Sequence, residues 1–313
     1  MFHLASFRLS AVAPSALGVL AAAAACAAPA HASLLTEWNL VVTGNLYSTS
    51  EVGGRAFVGG NLSGPASNYA FSLQASQWAG VDTLVVGGNI TATNINLQAG
   101  NLRVGGSVTG HVNFNGGGQL FQDAALPSTV PGVVAELQAA SAGYKALSAN
   151  STAQIPSGQP GQVKFNASPV GGLAVFNVSG ASVFSNPLTQ SIDLNANGAT
   201  AIVINVSGTT INFNSGNFVG SWNSAFARAN VIWNFYEATS ISLDRAFNGA
   251  ILAPNALLTN NTNIDGSVFV GGFNQLGEVH LPNFTGYVVP APAALVALGG
   301  LLVAAPRRRR TAA

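Results

Sequence analysis

Short apolar runs, each closed by glycine and asparagine or serine, recur along this chain. "LVVTGNL" (40–46), "AFVGGNL" (56–62), "LVVGGNI" (84–90) and "LRVGGSV" (102–108) are four versions of one phrase, with Val42, Val58, Val86 and Val104 spaced by 16, 28 and 18 residues. Each run has the length of a short strand, and the Gly and Asn that end it tolerate the left-handed backbone of a tight corner. A second set follows in "VFNVSGASV" (175–183), "VINVSGTTI" (203–211) and "IWNFYEATSI" (232–241), and "VFVGGF" (268–273) returns to the first phrase. Such spacing predicts an all-β protein built as a single parallel β-helix, in which each turn stacks its inward apolar residues on the next. The unequal intervals then mark insertions. A β-sandwich is the alternative, because short glycine-rich strands do not specify how a sheet closes.

One segment departs from this pattern. In "STVPGVVAELQAASAGYKALSAN" (128–150), Val130, Val134, Leu137, Tyr144 and Leu147 recur at helical spacing, with Pro131 suited to a first turn and Asn150 to an end. The expectation is one amphipathic helix over about 130–149, flanking the β body between its halves. "NSTAQIPSGQPGQ" (150–162) reads as a loop back to the sheet, within the same domain.

The two ends read as targeting segments. Residues 1–32 combine His3 and Arg8, an apolar stretch from Ala16 to Ala28, and Ala30-His31-Ala32, which fits the small-x-small rule for signal peptidase. Cleavage before Ser33 is expected, with lipid attachment at Cys26 as the alternative. Residues 288–313 carry Pro290 and Pro292, an apolar run over 293–305, and Arg307, Arg308, Arg309 and Arg310. That run is shorter than the roughly 20 residues a stable membrane span needs, and the arginines would stay on the cytoplasmic side. The intervening 33–287 is expected to be the folded domain.

Charge narrows the field. Charged residues make up 7% of the chain, and between leader and tail six basic side chains meet all ten carboxylates, a net charge of −4. That balance argues against a nucleic-acid partner. Cys26 is the sole cysteine, so its removal with the leader excludes disulfides, thiol catalysis and cysteine-bound zinc. No cofactor is implied.

From Trp38 to Gly286 the phrases "WNLVVTGNL", "GRAFVGGNLS", "LVVGGNI", "VFNVSG", "IVINVSGTTINF", "VIWNFYEATSI", "GAILAPNA" and "IDGSVFVGGF" resemble, in order, the choice-of-anchor A family of bacterial secreted proteins. The resemblance implies an adhesive β-helix joined to a surface-anchoring signal, and it supplies no catalytic residues. The tail resembles a PEP-CTERM sorting signal. That implies export to the surface or matrix of a Gram-negative bacterium and processing by an exosortase-like enzyme. Here Ala291 stands where the signal usually has glutamate, and permanent membrane retention is the competing outcome.

Catalytic motifs are sparse. There is no His-Glu-x-x-His, no phosphate loop ending in Gly-Lys and no Gly-x-Ser-x-Gly. His111 and His280 are isolated, while Glu237, Asp244, Asp265 and Glu278 lie on the later turns, where a pair at the right separation would support glycoside chemistry. Solvated ion pairs, such as Asp244 with Arg245, are the ordinary reading. "DLNANG" spaces Asp193, Asn195 and Asn197 like the start of a calcium loop, but Ile204 occupies the closing position, which leaves a plain Asn-Gly turn as the alternative. Asn205, Asn212, Asn214, Asn217, Asn234, Asn260, Asn261 and Asn263 suit internal ladders at corners. Turned outward with Thr209, Thr210, Thr259 and Thr262, some of them would form a flat face for sugars or ordered water. Trp78 and Trp222, in Ser/Asn/Gly-rich stretches, are the expected aromatic contacts, whereas Trp38 and Trp233 belong to strands. The expected site therefore comprises Trp78, Trp222, Thr209, Thr210, Thr259, Thr262, Asn260 and Asn261, and its ligand is an extracellular polysaccharide or another repetitive surface. A polysaccharide-active enzyme and a self-associating matrix protein are the alternatives.

Overall fold

The computed structural model describes residues 34–289. Ala30, Ala32, Cys26, Pro290, Pro292 and the four tail arginines lie outside them. Ten strands form the long path of the main sheet. They are β1 (Leu40–Val42), β2 (Ala56–Val58), β3 (Asp82–Val86), β4 (Asn101–Val104), β5 (Leu120–Gln122), β6 (Leu173–Ser179), β7 (Ala201–Ser207), β8 (Val231–Asn234), β9 (Ala250–Asn260) and β10 (Val268–Gln275). The protein is mostly β, with large parallel sheets.

Their spatial order is β5-β4-β3-β2-β1-β10-β9-β8-β7-β6. Leu40 of β1 pairs with Ala56 on one side and with Val268 of β10 on the other. The first turn therefore lies against the last one. Five turns stack outward from β1, the chain crosses to the far end, and five more return. Simple consecutive stacking, the expectation from the repeat, is corrected here.

The long helix, Val130–Lys145, makes that crossing, after a 3-10 turn at Leu126–Thr129. Pro127 lies against the Gly105 corner after β4, and the carbonyl of Tyr144 accepts from Asn205 Nδ2 of β7. Residues 126–147 would rise about 33 Å as a helix, and the seven strand intervals from β4 to β7 span about 34 Å. Helix length and crossing distance agree. The helix ends at Lys145 rather than near 149, and its buried stripe is Val133, Leu137, Ser141 and Tyr144, with Val133 taking the place expected of Val134. Asn150 caps a strand edge instead of a helix: its Oδ1 accepts from the amide of Val175 and its Nδ2 donates to the carbonyl of Leu173. The expected loop contains a short strand, Thr152–Gln154, antiparallel to Gly161–Asn166.

The helix explains why the strand phrases are apolar throughout. Val41, Phe57, Val85, Val203, Ile232 and Phe269 turn outward beneath Val133, Leu137 and Tyr144, while their neighbours Leu40, Val58, Leu84 and Trp233 face the interior. Strands buried on both faces lose the usual alternation. A separate seven-stranded parallel sheet includes Asn94–Leu97, His111–Phe114 and Val279–His280. The 28-residue interval holds the insertion 70–81, which opens at Ala70 with φ 57°.

The glycine pairs of the repeat sit where turns touch backbone to backbone. A Cβ on Gly88 would lie 2.7 Å from the carbonyl oxygen of Gly60 and 2.5 Å from Asn61 Oδ1. No larger residue fits without displacing the neighbouring turn.

Candidate binding face

Beyond the helix the main sheet bends, and its second stretch changes character. β9 and β10 cross this bend near Pro254, where their register shifts between Ala253 and Leu257. Here the strands alternate, as in "TINF" (210–213), "SISL" (240–243) and "NLYS" (45–48), because only one side is covered.

Inward, Ile211, Ile241, Leu258, Phe273, Leu46, Leu62 and Ile90 stack as one buried row. Outward, the same register aligns Asn212, Ser242, Thr259, Asn274, Tyr47 and Ser63 on successive turns. The bridges Leu62 to Ile90 and Ile90 to Val108 extend that row to Thr91 and Thr109. Eight turns thus present one polar or aromatic side chain each, about 4.8 Å apart. Tyr47 is 42% exposed near the middle of the row, and Leu257, 48% exposed, stands in the adjoining row with Thr210 and Ser240.

The edge of this face is held by its asparagines. Asn45 Oδ1 accepts from the amide of Asn61, Asn61 Oδ1 from the amide of Asn89, and Asn89 Oδ1 from the amide of Ser107, each at 2.8 Å. The Asn of the repeated phrase therefore ties one turn to the next and fixes the spacing of the groups displayed beside it.

The expected residues divide by strand parity. Thr209, Thr210 and Asn261 are exposed, and Thr259 and Thr262 are half-buried. Thr259 lies in the outward row, where its Oγ1 accepts from Asn274 Nδ2, and Asn261 donates to Asp244 Oδ1. Asn260 is corrected: it is fully buried, donating to the carbonyls of Thr262 and Gly277. Trp222 is also corrected. It folds into the core on a 3-10 turn and stacks on Trp233 at 5.0 Å, so it meets no ligand at the surface. Trp78 is half-buried on the insertion, with the Arg55 guanidinium 5.8 Å from its ring. Tyr47, not anticipated, is the aromatic of this face; its signal was the alternation Leu46 in, Tyr47 out, Ser48 in.

In "DLNANG" the side chains serve a turn. Asn195 Oδ1 accepts from the amide of Asn197, Asn197 Nδ2 donates to the carbonyl of Ala167, and Asn197 and Gly198 both take positive φ. The carboxylates separate. Glu237 accepts from the amide of Gly208, while Arg245 donates to the carbonyl of Asn214 rather than to Asp244. Asp265 and Glu278 instead flank His280: Nδ1 lies 2.6 Å from Asp265 Oδ1 and Nε2 bonds Glu278, with Arg228 3.2 Å from the other Asp265 oxygen. Burial disfavours the charged ring, but the hydrogen bonds it donates to Glu278 and Asp265 outweigh that and raise the His280 pKa. His111 is exposed on a strand of the seven-stranded sheet. Among the described residues no helix is long and apolar enough to cross a membrane.

Among curated proteins, none matches this chain. Of solved structures, the ice-binding protein of the Antarctic ascomycete Antarctomyces psychrotrophicus is similar at 14% identity and a TM-score of 0.36, over 80% of this chain and 96% of that one. Residues 31–281 match the family described as "Putative Ice-binding-like adhesive domain", and the chain belongs to that family.

Proposed function

We propose that this is an exported, non-catalytic adhesin that holds a repetitive extracellular ligand, such as an exopolysaccharide, on the outward row from Asn212 to Thr109. The row's register is the observation that carries this reading: eight turns of one rigid sheet display Asn, Ser, Thr and Tyr at one repeat. Preformed groups lose little freedom on binding, so many weak contacts add up against a periodic ligand. Tyr47 gives sugar rings a stacking surface. The stacked turns are read as one β-helix of the choice-of-anchor A type. Signal peptidase would release the chain before Ser33. The PEP-CTERM-like tail, with Pro290, Pro292 and Arg307–Arg310, would pass through the inner membrane to an exosortase-like enzyme, delivering the domain to a Gram-negative cell surface or matrix. Many anchored copies would add avidity.

The test is co-sedimentation of the purified protein with insoluble exopolysaccharide matrix from the producing cells, with free sugar ends assayed in the supernatant. Saturable retention without sugar release is expected, weakened at least about tenfold in the double variant Tyr47→Ala/Thr91→Arg. Equal retention of that variant would remove the face from the account. Sugar release would replace adhesion by catalysis, and pelleting without matrix would replace it by self-association.

A further inference from the structure

A second site lies away from this face, in the groove between the long helix and the ends of β6 to β9. Two neighbouring cavities of about 230 and 240 Å³ share Lys145 and Tyr236 in their walls. The Lys145 ammonium sits 3.5 Å from the centre of the Tyr236 ring, and among the described residues no carboxylate pairs with it.

The first cavity sets amide and hydroxyl groups beside the Lys145 ammonium. A directed amide chain runs into it along equivalent positions of three strands. Asn234 Nδ2 donates to Asn205 Oδ1 at 2.9 Å, and Asn205 Nδ2 donates to Asn177 Oδ1 at 3.2 Å. The helix fixes the direction, because Ser141 Oγ donates to Asn234 Oδ1 and the carbonyls of Ser141 and Tyr144 accept from the two buried amides. Asn177 is exposed, and its oxygen is already engaged, so what it offers the cavity is its Nδ2. Ser179 adds a hydroxyl, and no acidic residue lines either cavity. Glu237, next along the chain, is held by the amide of Gly208. In a domain of net charge −4, this is a cationic groove beside an aromatic ring.

We infer that this groove binds a carboxylate-bearing sugar, a uronic acid residue of an acidic polysaccharide. Lys145, held over the Tyr236 ring, and Asn177 Nδ2 take the carboxylate, and the second cavity takes the adjoining residue of the chain. The inference deepens the adhesive reading by naming an acidic ligand, while standing on different residues.

The experiment titrates the purified protein by calorimetry with a hexa-uronate, a neutral hexa-glucoside and sodium acetate, at about 50 and about 300 mM salt. The expected result is hexa-uronate binding that weakens with salt, falls about tenfold or more in Lys145→Gln and largely returns in Lys145→Arg. The neutral oligomer binds at least about tenfold more weakly, and acetate does not compete at millimolar concentration. Unchanged hexa-uronate affinity in Lys145→Gln, equal binding of the neutral oligomer, or competition by acetate at hexa-uronate concentrations would each overturn the assignment. Matrix retention separates the two readings. If Lys145→Gln abolishes uronate binding while Tyr47→Ala/Thr91→Arg keeps matrix retention, the outward face fails and the groove stands; the reverse pattern sinks the groove alone.

Discussion

The turns before the crossing helix and those after it solve one stacking problem with different side chains. Before it, β1 to β4 fill the interior with Leu, Val and Ala and turn on glycine pairs tied by exposed asparagines. After it, the interior is aromatic: Trp233 has Trp222, Phe165, Phe184, Phe218 and Phe247 within 5.7 Å between ring centres. Small corners permit close, regular turns filled by aliphatic side chains, and the later turns are filled by packed rings instead. The regular half is therefore held at its corners and the irregular half from within, and substitutions should hurt each half in a different place.

The largest effect is expected at the centre of the aromatic cluster. Trp233→Ala removes a fully buried ring and its Nε1 bond to the carbonyl of Asn248, and should lower unfolding stability by about 3–5 kcal/mol in urea titrations. A loss below about 1 kcal/mol would mean that the later turns do not depend on this filling.

Gly88→Ala tests the corners. Its Cβ would press on backbone and on Asn61 Oδ1, and a cost of about 1–3 kcal/mol is expected. Gly132→Ala is the control, since nothing lies within 4 Å of a Cβ there and the helix gains from alanine. Thermal unfolding of the two variants should move in opposite directions. If both are neutral, the glycine pairs are not what lets the turns approach.

Part of this architecture is readable in the sequence. The strand phrases and the crossing helix were legible because burial on two faces, on one face and on a helical stripe each leave their own periodicity. The strand order was not. "LVVTGNL" accepts "AFVGGNL" on one side and "VFVGGF" on the other equally well, so similarity between phrases says which turns can stack and not which do. Trp222 was misread because Ser221 and Asn223 give it the surroundings of a loop, although the turn they form folds inward. For Asn260 and Asn261 the parity of one strand decides, and that parity depends on the bend near Pro254. The groove at Lys145 joins residues from five separate segments, a juxtaposition that no local pattern records.

A smaller effect should follow from Asn61→Ala. It removes the acceptor for the amide of Asn89 at an exposed corner, where water replaces much of what is lost. About 0.5–1.5 kcal/mol is expected, and hydrogen exchange at Asn89 should quicken while amides of the aromatic half stay unchanged. Equal quickening in both halves would mean that the corner ladder stabilises the whole stack rather than its own turns.

The smallest effect belongs to His280, at the seam where the last turn meets the first. Its ring faces Asp265 and Glu278, with Arg228 on the far oxygen of Asp265 and the edge of Phe71 at 6.4 Å. Its folded pKa is raised, so the stability it contributes is fully present below the unfolded value of about 6.5 and is lost as pH rises through the folded one. The ring is partly open to solvent, which screens the gain, and a fall of no more than about 2 °C in Tm between about pH 6 and 8 is expected. His280→Asn should flatten that fall. Proton NMR gives the more direct reading: a His280 midpoint at or below about 6.5 would show that the two carboxylates do not hold the ring charged, and that the seam is closed by backbone pairing alone.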